Sequence, residues 1–229
     1  MKVTLAFALA ILVRPLLLTA QNVRLAADHD TGMRIVVSLG ERRLRVIGVE
    51  HDTLLTARVA VGSGREISYG GRRWRFATPR GIHIVAAKDS APVWIPPDWH
   101  YIELARREQL KLVWLRGDTT VSYEDGAKLV IDRVAARFID DRGTDSFSVA
   151  EHIIVDDVLY VPPIGAANRK VPDALGQFRL SLGDGVGIHG TPDQASIGGA
   201  VTHGCMRLAD ADIAWLYHHV PVGTKVYIY

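Results

Sequence analysis

Two short glycine-bearing turns limit what this chain can fold into. His189 stands in Gly187-Ile188-His189-Gly190-Thr191, and Cys205, the only cysteine among 229 residues, stands sixteen positions later in Thr202-His203-Gly204-Cys205-Met206-Arg207. A fold that uses the two together must bring both turns to one place. The chemistry asks for this because thiolate is the nucleophile, and a thiol of ordinary pKa, about 8.5, is barely ionised at neutral pH unless a base, a cation or a helix N-terminus assists it. A histidine within reach takes the thiol proton, holds the thiolate as an ion pair and later protonates a leaving amine. Gly204 lets backbone approach a substrate carbonyl with no Cβ in the way. The N–H groups of Gly204 and Cys205 are therefore candidate donors to a tetrahedral oxyanion. The carbonyl of Gly190 falls beside the His189 ring, where it can accept from the second ring nitrogen and fix the tautomer.

The first twenty residues read differently from the rest. Lys2 opens a run, Val3 to Ala20, broken only by Thr4, Arg14, Pro15 and Thr19 and followed by Gln21-Asn22. A cationic start, an apolar centre and a small residue at the end describe a secretory signal peptide over residues 1–20, cleaved after Ala20. Arg14-Pro15 shortens the apolar stretch below the ~20 residues of a membrane span, so no stable span is expected. The chain is read as exported, to the periplasm or cell envelope. Without Lys2 and Arg14 the basic and acidic residues balance at 25 each, and with no basic motif nucleic acid is an unsuitable partner. In an exported chain a single cysteine has no intramolecular disulfide partner and points to a free reactive thiol or an intermolecular bridge. The competing account, a buried inert cysteine, fits poorly with His203-Gly204 on one side and Met206-Arg207 on the other.

Residues 21–32 form a polar lead-in. Arg34–Leu39 and Leu44–Val49 flank Gly40-Glu41-Arg42-Arg43 and predict a hairpin, with Leu44 and Val46 alternating against Arg43 and Arg45. Thr53–Val61 is a further β-rich run, and Thr78-Pro79-Arg80-Gly81 turns into Ile82–Ala86. Within 99–172, residues Ala127–Asp141 fit a helix carrying Val130, Val134 and Phe138 on one face, and fit a strand pair equally. Arg106, Arg107, Trp94, Trp99 and Trp114 suit either a cap or sugar groove, or ordinary core and surface. His83, His100 and His152 are scattered and His218-His219 adjacent, without metal-ligand spacing, so no metal and no cofactor is expected. Leu175–Leu180 reads as a strand. Asp210 is expected to cap a helix running to Val220 with Ile213, Leu216 and Tyr217 on its apolar stripe, and Lys225–Tyr229 closes the chain as a strand.

Ile188-His-Gly-Thr191, Ser196-Ile-Gly-Gly and Thr202-His-Gly-Cys-Met-Arg-Leu208, in this order and spacing, resemble the signature of the L,D-transpeptidase family, the YkuD-type catalytic domain. The opening hairpin, Val59-x-x-Gly62 and Thr78-Pro-x-Gly81 extend the likeness toward the N-terminus. The resemblance implies a mainly β fold, a sandwich or open barrel with one or two short helices, over 33–229 with an insertion or cap at roughly 99–172. It implies a cysteine acyltransferase acting on peptidoglycan stem peptides: Cys205 attacks the amide after the third stem residue and the acyl group passes to an amine of a second stem or of a wall-anchored protein. In this scheme Cys205, His189, His203 and Gly204 are catalytic, and Arg207, Thr202 and Gly190 bind substrate. A cysteine carboxypeptidase or endopeptidase on the same fold, and a non-catalytic wall-binding module, are the alternatives.

Overall fold

The structure is a computed structural model that describes residues 32–148 and 151–229. The signal peptide read over 1–20, and the lead-in over 21–32 apart from Gly32, lie outside the described residues.

The chain begins as a meander of β1 (Arg34–Ser38), β2 (Arg43–Ile47) and β3 (Thr53–Arg58). Short β4 (Val61–Gly62), the hairpin β5 (Glu66–Tyr69) and β6 (Arg72–Arg75), then β7 (Gly81–Ile84) and β8 (Ala87–Ser90) follow. Helix α1 (Asp98–Glu108) leads to β9 (Lys111–Trp114), the meander β10 (Thr119–Ser122), β11 (Lys128–Ile131), β12 (Ala136–Asp140) and β13 (Gly143–Phe147), then β14 (Ile153–Val155) and β15 (Val158–Val161). The last part holds β16 (Phe178–Gly183), β17 (Val186–His189), β18 (Ala200–Thr202), β19 (Met206–Arg207), α2 (Asp210–His219) and β20 (Lys225–Ile228).

Two sheets enclose the main core. One has the order β3-β2-β1-β20-β7 and the other β19-β17-β16-β8. Alternation makes each sheet one-sided: Ile35, Val37, Leu44, Val46 and Val226 from the first meet Leu180, Ile188 and Met206 from the second, all with no exposed surface. Each such side chain contributes roughly 1.5–3 kcal/mol by leaving water. Helix α2 closes the layer with Ile213 and Leu216 fully buried, while its Tyr217 stacks on Phe178 at 4.3 Å. The expectation that Asp210 caps this helix does not hold: Ala209 is the capping residue, without a side-chain bond, and Asp210 opens the first turn, where a negative charge still favours the helix dipole.

Strands β8 and β16 are neighbours, with Ser90 opposite Phe178, so residues 91–177 leave and return at one point of the sheet. This excursion has its own apolar clusters, one around Leu129, Ile131 and Tyr160 and another around Tyr101, Leu159 and Val161. Ala127–Asp141 is the strand pair β11–β12 and not a helix. Asp132 Oδ1 accepts from the N–H groups of Val134 and Ala135 at 2.7 and 2.8 Å, a local turn that competes with helix. Val134, which a helical stripe would bury, is 77% exposed. Among the described residues no helix is long and apolar enough to cross a membrane.

Candidate active site

The parallel pair β17–β19 sets Ile188 opposite Met206 and His189 opposite Arg207. Ile188 and Met206 fill the core, so alternation sends His189 and Arg207, and one step earlier Gly187 and Cys205, to the opposite face. On the other side of β17, Arg179 of β16 lies opposite His189. One face therefore carries Arg179, His189 and Arg207 in a row, with Cys205 at its edge.

The turn before the thiol is held by two threonine hydroxyls. Thr202 Oγ1 donates to the Cys205 carbonyl at 2.5 Å and accepts from the Gly204 N–H at 3.2 Å. Thr78 Oγ1 donates to the Gly204 carbonyl at 2.9 Å and accepts from the Gly62 N–H at 2.8 Å. Gly204 has φ 129°, a region side chains rarely adopt, and a Cβ there would sit 3.3 Å from the Ala77 oxygen. The Gly204 N–H, expected to face an oxyanion, is thus committed to Thr202. Thr202 itself is buried and spends its hydroxyl inside the turn.

His189 is buried, and its Nδ1 donates to the Gly190 carbonyl at 2.6 Å. With Nδ1 carrying the proton, Nε2 is the basic nitrogen of the neutral ring. Burial pushes its pKa down to about 4, against the Gly190 and Leu175 carbonyls that favour the charged ring, and Arg207 and Arg179 push it down further. Gly190 is buried as well, its Cα hydrogens packed near Ile213 and Gly176. Its carbonyl positions the imidazole. Burial also raises the Cys205 thiol, while the backbone of Gly187 and the charges of Arg179 and Arg207 pull it down. Cys205 is half-buried, and its Sγ donates to the Gly185 carbonyl at 3.5 Å and not to His189. Burial therefore works against charge on both groups, against the ion pair that the sequence suggests.

His203 turns toward the excursion. Its Nε2 meets the Glu103 carboxylate at 2.6 Å, its ring stacks on Trp99 at 4.0 Å and 12°, and Phe76 stands edge-on at 4.3 Å. Burial lowers its pKa more than Glu103 raises it. Arg207 lies 3.8 Å from the Asp193 carboxylate and 3.5 Å from the Ser196 hydroxyl. His100 and His152, scattered in the sequence, meet through their Nε2 atoms at 2.9 Å. Among the described residues no group of three His, Cys, Asp or Glu side chains could hold a metal.

The model of the YkuD L,D-transpeptidase catalytic domain matches residues 32–228. The chain belongs to this L,D-transpeptidase family. It is 43% identical to YbiS of Escherichia coli strain K12 over 65 residues, 28% of this chain and 21% of that protein. It is 48% identical to YkuD of Bacillus subtilis strain 168 over 82 residues, 33% of this chain and 50% of that one. The matched segments thus span half or less of these relatives. A crystallised L,D-transpeptidase from Xylanimonas cellulosilytica superposes with a TM-score of 0.44 at 16% identity, covering 86% of this chain and 60% of the other.

Within this L,D-transpeptidase domain four residues at or behind the site escaped the sequence reading of roles. Thr78 was visible in Thr-Pro-x-Gly, but nothing told that its hydroxyl reaches Gly204. Trp99 was flagged without a partner. Glu103 and Arg179 sit in segments with no motif, and only the sheet register and the packing of α1 bring them to the site.

Proposed function

We propose that the chain is a cysteine acyltransferase that acts on peptidoglycan stem peptides through an acyl-enzyme on Cys205. The observation that carries this is the His189 imidazole, locked by Gly190 with Nε2 as its base, on the same sheet face as the lone thiol. Cys205 Sγ attacks the stem carbonyl carbon while Nε2 of neutral His189 takes the thiol proton. Bringing the two steps together avoids two buried charges in the resting state. The Cys205 N–H is the backbone donor available to the oxyanion, with Gly204 held back by Thr202. Collapse breaks the C–N bond, the imidazolium returns its proton to the leaving amine, and a thioester remains. An acceptor amine then attacks the thioester carbon, the C–S bond breaks, and the amine's proton passes through His189 Nε2 to the departing Cys205 sulfur, which restores the thiol and the neutral imidazole. Arg207, next to His189 in the register, steers the anionic peptide, and His203 with Glu103 holds the turn against α1. Residues 1–20 direct export to the envelope, where the polymer lies.

Incubation with a four-residue stem donor and an excess of a different D-amino acid separates transfer from hydrolysis. The exchanged stem peptide is the expected product, and it is lost in Cys205→Ala. A shortened peptide alone would make the protein a carboxypeptidase, and no product at all would leave a wall-binding module.

A further inference from the structure

Arg179 is a charged group at the site that neither the signature nor the proposed chemistry employs. It stands in β16 opposite His189, so both side chains leave the sheet on one face. Its stem crosses Gly187: a Cβ at 187 would lie 3.0 Å from Arg179 Nε and 3.6 Å from its Cγ. The missing side chain at 187 is what makes room for the guanidinium. The backbone of Gly187 is also what lies against the thiol, and the charge of Arg179 is felt by both Cys205 and His189. Nε is buried without a hydrogen-bond partner, and among the described residues no carboxylate comes within ion-pair distance of this arginine. Arg207, on the other flank of His189, has Asp193 at 3.8 Å and Ser196 at 3.5 Å as partners and is the group read above as steering the rest of the peptide. Buried donors are rarely left open unless something else fills them.

We propose that Arg179 binds the C-terminal carboxylate of the acyl donor, and so selects peptides that end one residue beyond the scissile amide. This rests on the stem-peptide reading above. In such a donor the carboxylate carbon is two bonds from the scissile nitrogen, so it comes to rest within a few ångströms of the carbon that Sγ attacks. Only a cation already beside Cys205 can meet it there, and a guanidinium takes both carboxylate oxygens at once. A donor carrying one more residue presents a neutral amide at that point and leaves the charge unanswered. Specificity of this kind is a difference between two affinities, and the uncompensated arginine supplies it.

The test compares a four-residue stem donor with a free C-terminal carboxylate against its C-terminal carboxamide, reading release of the fourth residue as kcat/KM for the full chain, Arg179→Met and Arg179→Lys. The unsubstituted protein is expected to prefer the acid by about 10- to 100-fold, the range of a charge-assisted hydrogen bond. The ratio falls to near one in Arg179→Met and is partly kept in Arg179→Lys. An arginine that only supports the fold lowers both donors alike and leaves the ratio intact, which overturns the proposal, as does a ratio near one in the unsubstituted protein. Should Arg179→Met fail to fold, the unsubstituted ratio and that of Arg179→Lys still decide. Release from neither donor by the unsubstituted protein overturns the stem-peptide reading itself.

Discussion

His189 and Cys205 are shifted in opposite directions, the imidazole down to about 4 and the thiol upward, both chiefly by burial. The sign fixes the pH behaviour. A base that must be neutral is lost only as the pH falls through its own pKa, and a thiol that must keep its proton until attack is lost only above the ordinary thiol range. The kcat/KM profile is therefore expected to stay flat from about pH 5 to 9, with an acid limb near 4; a limb between 6 and 7 would mean an imidazole exposed to water. Glu103 acts on His203 in the other sense, since its carboxylate raises the ring's pKa by hydrogen bond and charge. In Glu103→Gln the His203 titration midpoint, followed by NMR, is expected to move lower; a midpoint that stays or rises would show that the contact does not matter. The motif residues and the Gly190 carbonyl were legible in the sequence because their relations are local, within one or two positions. The opposition to charge on the pair was not, because burial is a property of the whole packed layer.

Strands legible in the sequence are those whose alternation the core enforces. Leu44 and Val46 against Arg43 and Arg45 gave β2, and Val226 and Ile228 gave β20. Ala127–Asp141 was ambiguous because its apolar residues satisfy two periods at once, and the Asp132 turn settles it for strands. Helix α1 carries no cap that a sequence announces: Pro97 stands at its N-cap without a side-chain bond. It is fixed instead by long-range charge. Arg169, 3% exposed, donates to the carbonyls of Pro96 and Pro162 at 2.9 Å each and to Asp98 at 2.7 Å. Removing the guanidinium leaves two buried carbonyls and a partly buried carboxylate short of a donor. Arg169→Met is expected to cost about 2–4 kcal/mol, read as a shift of the denaturant midpoint. A change under about 0.5 kcal/mol, the size of an ordinary surface substitution, would show that α1 is held by its apolar side alone.

At the scale of the molecule, residues 91–177 lie between two adjacent strands of the catalytic sheet and yet reach back to the site. Trp99 and Glu103 clasp His203, Arg65 pairs with Glu103 at 3.1 Å, and Arg72 with Asp98 at 3.0 Å. The excursion touches the candidate site through Trp99 and Glu103; the sequence allowed a cap there but, with no motif in the segment, not which residues reach back. All of this turns on the lone thiol forming a bond to substrate. The most direct measurement is the intact mass of the protein mixed rapidly with the four-residue donor and quenched in acid, followed by peptide mapping. The expected result is a gain equal to the donor less its terminal amino acid, placed on Cys205, short-lived with an acceptor amine present and absent in Cys205→Ala. Turnover of the donor with no adduct at Cys205, or with the same turnover in Cys205→Ala, would contradict it.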